Sequence, residues 1–292
     1  MPWALISLLV VVLGAGASPE KPSARPASRN AAAVSASDAS PSPVVPSPMY
    51  DAEAEQQLLT LANQARALAG SPPLTMEAGM TAAARAHADT MARWQQLSHQ
   101  FSGEPSLTSR LAAASPLQID RAGENVALDS SAADAHRLLM LSPPHRENLL
   151  DPAYNVAGMG VVRSGGRLYV VEDFGRSLPV YSEAESEQVI AGALHQLRMQ
   201  AGLPDLARVD EPSLHEAVCS MALEDRLGTQ AMRDLAQRHS VINYTNMHPE
   251  VLPAASVRIL ADRRVTAAAI SVCFARTATY PSGVYWVGLV TE

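Results

Sequence analysis

Apolar residues recur at helical spacing at Leu58, Leu61, Ala62, Ala65 and Leu68, and Gly70 with Pro72 and Pro73 stops the run. The pattern predicts one helix ending near Ala69. A second stripe, Met80, Ala83, Ala84, His87 and Met91, predicts another. Further on, two runs from Val156 to Val162 and from Leu168 to Phe174 flank Ser164-Gly165-Gly166, which predicts an antiparallel hairpin. Ahead of it, Ser142-Pro143-Pro144 offers a capping hydroxyl followed by proline at the first helical position, so a short helix should run towards Leu150. Helices followed by a hairpin point to an α+β fold with helices over a small sheet.

The pattern then returns. Gln64-Ala65-Arg66 through Gly70 and Pro72 to Leu74 is echoed by Gln196-Leu197-Arg198 through Gly202 and Pro204 to Leu206. Met80, Ala83, Ala84 and Ala88 are matched by Leu214, Ala217, Val218 and Ala222. Met159-Gly160-Val161-Val162 is matched by Ile270-Ser271-Val272-Cys273, and Gly166 to Val170 by Gly283 to Val287. This predicts two copies of one unit, at 50–180 and 183–292. Their middles differ: the first holds His99, Glu124 and His145, and the second has no counterpart of Gly123-Glu124-Asn125 or of Ser142-Pro143-Pro144-His145. A degenerate second copy, with the scaffold but not the site, is expected.

Of the 292 residues, 47% are hydrophobic, enough for one large domain or two modest ones. The apolar run from Trp3 to Ala15, closed by small residues, reads as a signal peptide over 1–17, too short to span a bilayer as a helix. Residues 18–49 are rich in Pro, Ala and Ser and read as a disordered linker, with folding starting near Tyr50. A secreted protein is expected, extracellular or periplasmic, with no transmembrane segment after cleavage. A net charge of −7 without a basic block argues against nucleic acid as a partner. Cys219 and Cys273 are the only cysteines; in an oxidising compartment they would form one disulfide, and otherwise two buried thiols.

His99, Glu124 and His145 form the candidate site: two imidazoles and a carboxylate, the ligand set of an open zinc site. The alternative is that each caps its own loop. His145 should sit in the first turn of its short helix, where the dipole favours the neutral ring that binds metal. Asn125, Asn148 and Ser142 are candidate orienting or binding residues. His87 lies in an apolar stripe and reads as a core histidine. His136 and His195 read as solvated, and His248-Pro249-Glu250 as a turn. For Arg110 an exposed surface position is the simpler expectation and a pair with an acid of the cleft the other; Asp173 would lie on a solvated strand edge or reach the cleft floor.

Leu97-Ser98-His99, Gly123-Glu124-Asn125, Ser142-Pro143-Pro144-His145-Arg146-Glu147-Asn148 and Gly158 to Phe174, with the two helices before them, resemble the bacterial branch of the CAP superfamily, the cysteine-rich secretory, antigen 5 and pathogenesis-related (SCP-like extracellular) domains. The resemblance covers about residues 55–176. It implies a three-layer α-β-α sandwich whose open cleft is lined by two histidines and two acids, with His99, Glu124 and His145 as three of the four. Ser142 stands where animal and plant members carry the second acid. For the function, the resemblance implies a secreted binding module able to hold zinc or another divalent ion, with an extracellular ligand such as a lipid, a peptide or a cell-wall component. Two further readings are a metal-assisted hydrolase of peptides or cell-wall material, with Glu124 as catalytic base, and a lipid-binding or structural extracellular protein. Whether the protein is an enzyme stays open at this point.

Overall fold

The computed structural model describes residues 50–292; the expected signal peptide and linker lie outside them. Helix α1 (Ala52–Ala69) begins where the Asp51 carboxylate accepts from the Ala54 N–H at 3.0 Å and ends on Gly70, whose φ of 75° favours glycine. Its buried face is Ala54, Leu58, Leu59, Ala62 and Arg66. Leu68, counted into the stripe from its spacing, is 92% exposed, because an arginine takes the end of that face.

That arginine has no access to solvent. Its Nε donates to the Pro72 carbonyl at 2.7 Å, Nη1 to those of Leu149 at 2.7 Å and Asp151 at 2.9 Å, and Nη2 to that of Tyr154 at 2.9 Å. A buried guanidinium is tolerable only when its donors are so occupied. The bonds tie the end of α1 to a loop more than eighty residues on.

Strand β1 (Thr75–Met76) leads into α2 (Ala78–Trp94), which buries Met80, Ala83, Ala84, His87 and Met91, the predicted stripe. After α3 (Leu107–Ala114) come β2 (Gln118–Asp129), α4 (Ala132–Leu141), α5 (Pro143–Leu150), β3 (Val156–Ser164) and β4 (Arg167–Leu178). The sheet runs β1-β3-β4-β2, antiparallel except for β1 beside β3. Helices α1, α4 and α5 pack on one face around Leu58, Leu139, Leu149 and Phe174; α2 and α3 cover the other around Met80, Met91, Leu111 and Val171. Three α-β-α layers result. Gly158 and Gly160 let α2 lie almost on the sheet, since a Cβ at either would fall inside the backbone of Met80 or Ala84.

The second half comprises α6 (Glu183–Gln200), β5 (Ala207–Arg208), α7 (Leu214–Leu223), α8 (Gln230–Ala236), β6 (Ser240–Asn246), α9 (Ala254–Leu260), β7 (Ala267–Ala275) and β8 (Val284–Thr291). Its sheet runs β5-β7-β8-β6, again with only the short first strand parallel to its neighbour. Arg198 is buried like Arg66 and donates to the carbonyls of Pro204 at 2.8 Å, Leu260 at 3.1 Å and Asp262 at 2.9 Å. Cys219 on α7 and Cys273 on β7 are joined in a disulfide with Cα atoms 5.3 Å apart. Among the described residues no helix is long and apolar enough to cross a membrane.

Replacing Arg66 by Met keeps the volume and leaves four carbonyls without their donor. Urea unfolding should show a loss of roughly 3 kcal/mol or more, given the cost of stranding buried acceptors. A loss below about 0.5 kcal/mol, the range of ordinary surface substitutions, would contradict the role assigned to this residue.

Candidate functional site

The free edge of the first sheet is β2, and three elements converge there. Glu124 lies near its middle, His99 comes from the loop that follows α2, and His145 from the first turn of α5. All three line one solvent-open cleft of about 460 Å³, together with Arg121, Glu147 and Tyr154. Groups far apart in the chain thus meet in one place.

Glu124 points to the α2 and α3 side with a side chain only 4% exposed. Its Oε1 accepts from Nδ1 of His99 at 2.9 Å, and its Oε2 forms an ion pair with Arg110. Arg110 is 9% exposed, not on the open surface as its spacing suggested, because α3 packs against the start of β2 and turns the guanidinium inward. Asp173 is paired across from Glu124 on β4 and fully buried rather than solvated. Burial, and next the charge of Glu124, push the Asp173 carboxyl well above the usual range.

His87 closes this side. Its Nδ1 lies 2.7 Å from Glu104 and its Nε2 2.8 Å from the Ser98 carbonyl, so no ring nitrogen is left for a ligand. Burial alone would raise Glu104, but the Phe101 N–H, His87 and Arg110 together hold it low.

On the other face of β2, Asn125 is buried and holds α5 in place. Its Nδ2 donates to the His145 carbonyl at 3.1 Å and to Glu172 at 3.2 Å, while its Oδ1 accepts from Asn148 at 3.1 Å. Gly123 is required here, since a Cβ would collide with the Asn148 amide and the Tyr154 hydroxyl. Ser142 stands at the N-cap of α5, yet its hydroxyl makes no capping bond and instead meets Nδ1 of His145 at 2.8 Å. Burial first, and the charge of His99 second, hold His145 below the ordinary imidazole value, which keeps its ring neutral. Both cleft histidines therefore have Nδ1 engaged and Nε2 left to a ligand.

Sequence reasoning placed His99, Glu124 and His145 together, ranked the surface above the cleft for Arg110, and missed Glu104 and Glu172. An Arg-to-Glu pair across fourteen residues of loop and strand leaves no periodic signal. His136, expected in solvent, is half-buried with Nδ1 unpartnered, and burial lowers its pKa. His195 is exposed beside Asp205. His248 lies in its turn and also reaches Asp120, 3.3 Å away in the first half. Among the described residues no three His, Cys, Asp or Glu side chains are gathered as a group ready to hold a metal ion.

The register shows what the second half has at these places. With Gly160 set on Ser271, pairing carries Val171 onto Gly288 and Val126 onto Asn243. Glu124, Asn125, Glu172 and Asp173 then fall on Val241, Ile242, Leu289 and Val290, and the shared arginine contacts place His145 on Ser256. An apolar set fills the same positions of a sheet with the same strand order.

Residues 59–174 match the cysteine-rich secretory protein family, CAP. Three similar solved structures are an extracellular protein containing an SCP domain from Bacillus anthracis (26% identity, 43% of this chain and 41% of that one, TM-score 0.40), a cysteine-rich secretory protein from Staphylococcus aureus (17%, 45% and 40%, 0.35) and an outer surface protein from Borrelia burgdorferi (14%, 45% and 99%, 0.41). This chain thus spans about two fifths (41%) of the length of the Bacillus protein. No curated protein matches the chain.

Glu172 gives the site a pH signature. Burial raises it to about 7, against the partial effect of the Asn125 amide. An unfolded glutamate loses its proton near pH 4.3, with the unfolded chain then binding fewer protons than the folded one, so stability falls as pH rises from about 4.3 to 7 and levels beyond. Glu172→Gln keeps the bond to Asn125 and removes this fall. It should stabilise the protein at pH 8 by up to roughly 3 kcal/mol and have little effect below pH 4.5, checked by urea unfolding across that range. An unaltered pH slope would refute it.

Proposed function

We propose that the first half is a CAP domain and an extracellular binding module whose cleft takes one divalent ion, zinc by ligand chemistry, between Nε2 of His99 and Nε2 of His145. Glu124 then stands behind His99 as the carboxylate that fixes its tautomer, and Ser142 does the same for His145, a common arrangement around metal-bound imidazoles. Water or an extracellular ligand, a peptide or cell-wall component suited to so polar a cleft, would complete the shell. Bound there, the ion would act as a Lewis acid towards a carbonyl or phosphoryl oxygen.

The observation that carries this reading is the contrast between the halves. Val241, Ile242, Leu289 and Val290 occupy the positions of Glu124, Asn125, Glu172 and Asp173, so a sheet of this strand order does not need polar residues there. Buried acids with raised pKa values cost stability, and a ligand site is the reason to keep them. We read residues 183–292 as a degenerate CAP-like copy from 50–180, with the scaffold kept and the site lost. The signal peptide and linker belong to the same picture of a secreted protein. Binding is favoured over hydrolysis because Glu124, with both oxygens engaged by His99 and Arg110, is poorly placed to take a proton from water.

Calorimetric titration of the mature chain with zinc at pH 7.5 should show one site, abolished in His99→Ala and His145→Ala and weakened about 10- to 100-fold in Glu124→Gln. Affinity should fall as the medium is acidified through the imidazole range. Equal zinc binding by wild type and both histidine variants would remove the metal from the proposal.

A further inference from the structure

The second half grips the first along residues 112–120. Arg276, at the start of the turn between β7 and β8, donates from Nη1 to the carbonyls of Ala112 and Ser115 at 3.0 Å each and from Nη2 to that of Leu117 at 2.9 Å. Gln118 donates to the Gly283 carbonyl at 3.4 Å, and His248 lies 3.3 Å from Asp120. This segment is the end of α3 and its passage into β2. It joins Arg110 to Glu124, the two halves of the ion pair behind His99.

We infer that Arg276 is a positioning residue of the cleft: by capturing the carbonyls at the end of α3 it fixes the Arg110–Glu124 pair and, through it, the His99 ring. The last carbonyls of a helix have no donor within it and carry the negative end of its dipole, so a guanidinium is suited to them in both geometry and charge. Helix α3 has only eight residues, too few to stay wound without tertiary support. Met80 and Ala83 of α2 supply that support on one side by packing on Leu111, and Arg276 supplies it at the end. Were the end to fray, Arg110 would leave Glu124 with its charge uncompensated beside His99.

The turn bearing Arg276 is itself held firmly. Thr277 donates its hydroxyl to Asp225 at 2.6 Å, the Thr279 N–H donates to the same carboxylate at 2.8 Å, and Tyr280 packs edge-on against Trp286 with ring centres 5.7 Å apart. Arg276 therefore reaches α3 from a preorganised turn. The second half, apolar where the first has its site, acts on that site through α3.

The inference rests on the cleft being the functional site, and its test keeps the two separable. Arg276→Ala and Arg276→Lys are made in the full mature chain. For Arg276→Ala, amide exchange over 107–124 should rise at least about tenfold while α1 and the second sheet stay unchanged. The His99 ring Cε1–Hε1 resonance should move at fixed pH, and zinc affinity should fall roughly tenfold. Arg276→Lys, which keeps the charge and can reach one carbonyl, should recover part of each change. Unaltered exchange over 107–124 with an unmoved His99 resonance would overturn the inference, as would a uniform rise in exchange across the chain. Should the wild type take no zinc, the proposed metal site fails, and the exchange and resonance measurements alone decide this point.

Discussion

The cleft depends first on a guanidinium that never touches it. Arg66 links the end of α1 to the carbonyls of Leu149, Asp151 and Tyr154, which fixes where α5 stops and where β3 begins. Helix α5 is short and starts on two prolines, so its own propensity holds little of its orientation. Pinned at its C-terminal end by Arg66 and at its middle by Asn125 and Asn148, it can offer His145 to the edge of the sheet in one position. Arg198 makes equivalent bonds to Pro204, Leu260 and Asp262, so the device belongs to the scaffold and not to the site.

Around Glu124 the chemistry is one of compensation. A carboxylate only 4% exposed must be neutralised locally, and here Arg110 supplies the charge while His99 supplies a second donor. Asp173 shares the same space, and two ionised carboxylates there would repel strongly, so one keeps its proton. The result holds Glu124 still. A carboxylate so bound serves to orient an imidazole, whereas a general base needs a lone pair directed at its substrate.

The helical stripes, the hairpin and the cap ahead of α5 were legible because each is a local period or a local stop signal, and the stripe of α2 holds residue for residue from Met80 to Met91. The three cleft residues were legible as a family resemblance, which spacing alone could not supply. The burial of Arg66 was not foreseen because helical spacing counts only apolar residues, so Leu68 seemed the end of a stripe that an arginine finishes. The matching arginine in the second half, Arg198, was the available clue. Glu104 was illegible, and Arg110 and Asp173 were left between surface and cleft, for a different reason: their partners lie on other elements, and a polar residue turns inward only when tertiary packing supplies a counter-charge. The same holds for Arg276, whose acceptors lie 159 to 164 positions away.

The two halves separate what a sheet of this strand order needs from what a site needs. Both have a short parallel strand, a crossing helix on each face and a buried arginine under the last helix, so these features suffice for the architecture. Where the first half buries Glu172 and Asp173 in β4, the second buries Leu289 and Val290 in β8, and the apolar pair gains from burial what the acids lose. The second half also carries the disulfide between α7 and β7, on the face where its sheet meets α7 and α8. The second half, whose buried polar residues include no acid, contacts the first through the segment leading from Arg110 to Glu124. The contact falls where the first half has least support of its own: α3 has only eight residues, and three of the carbonyls at and beyond its end take their donors from Arg276.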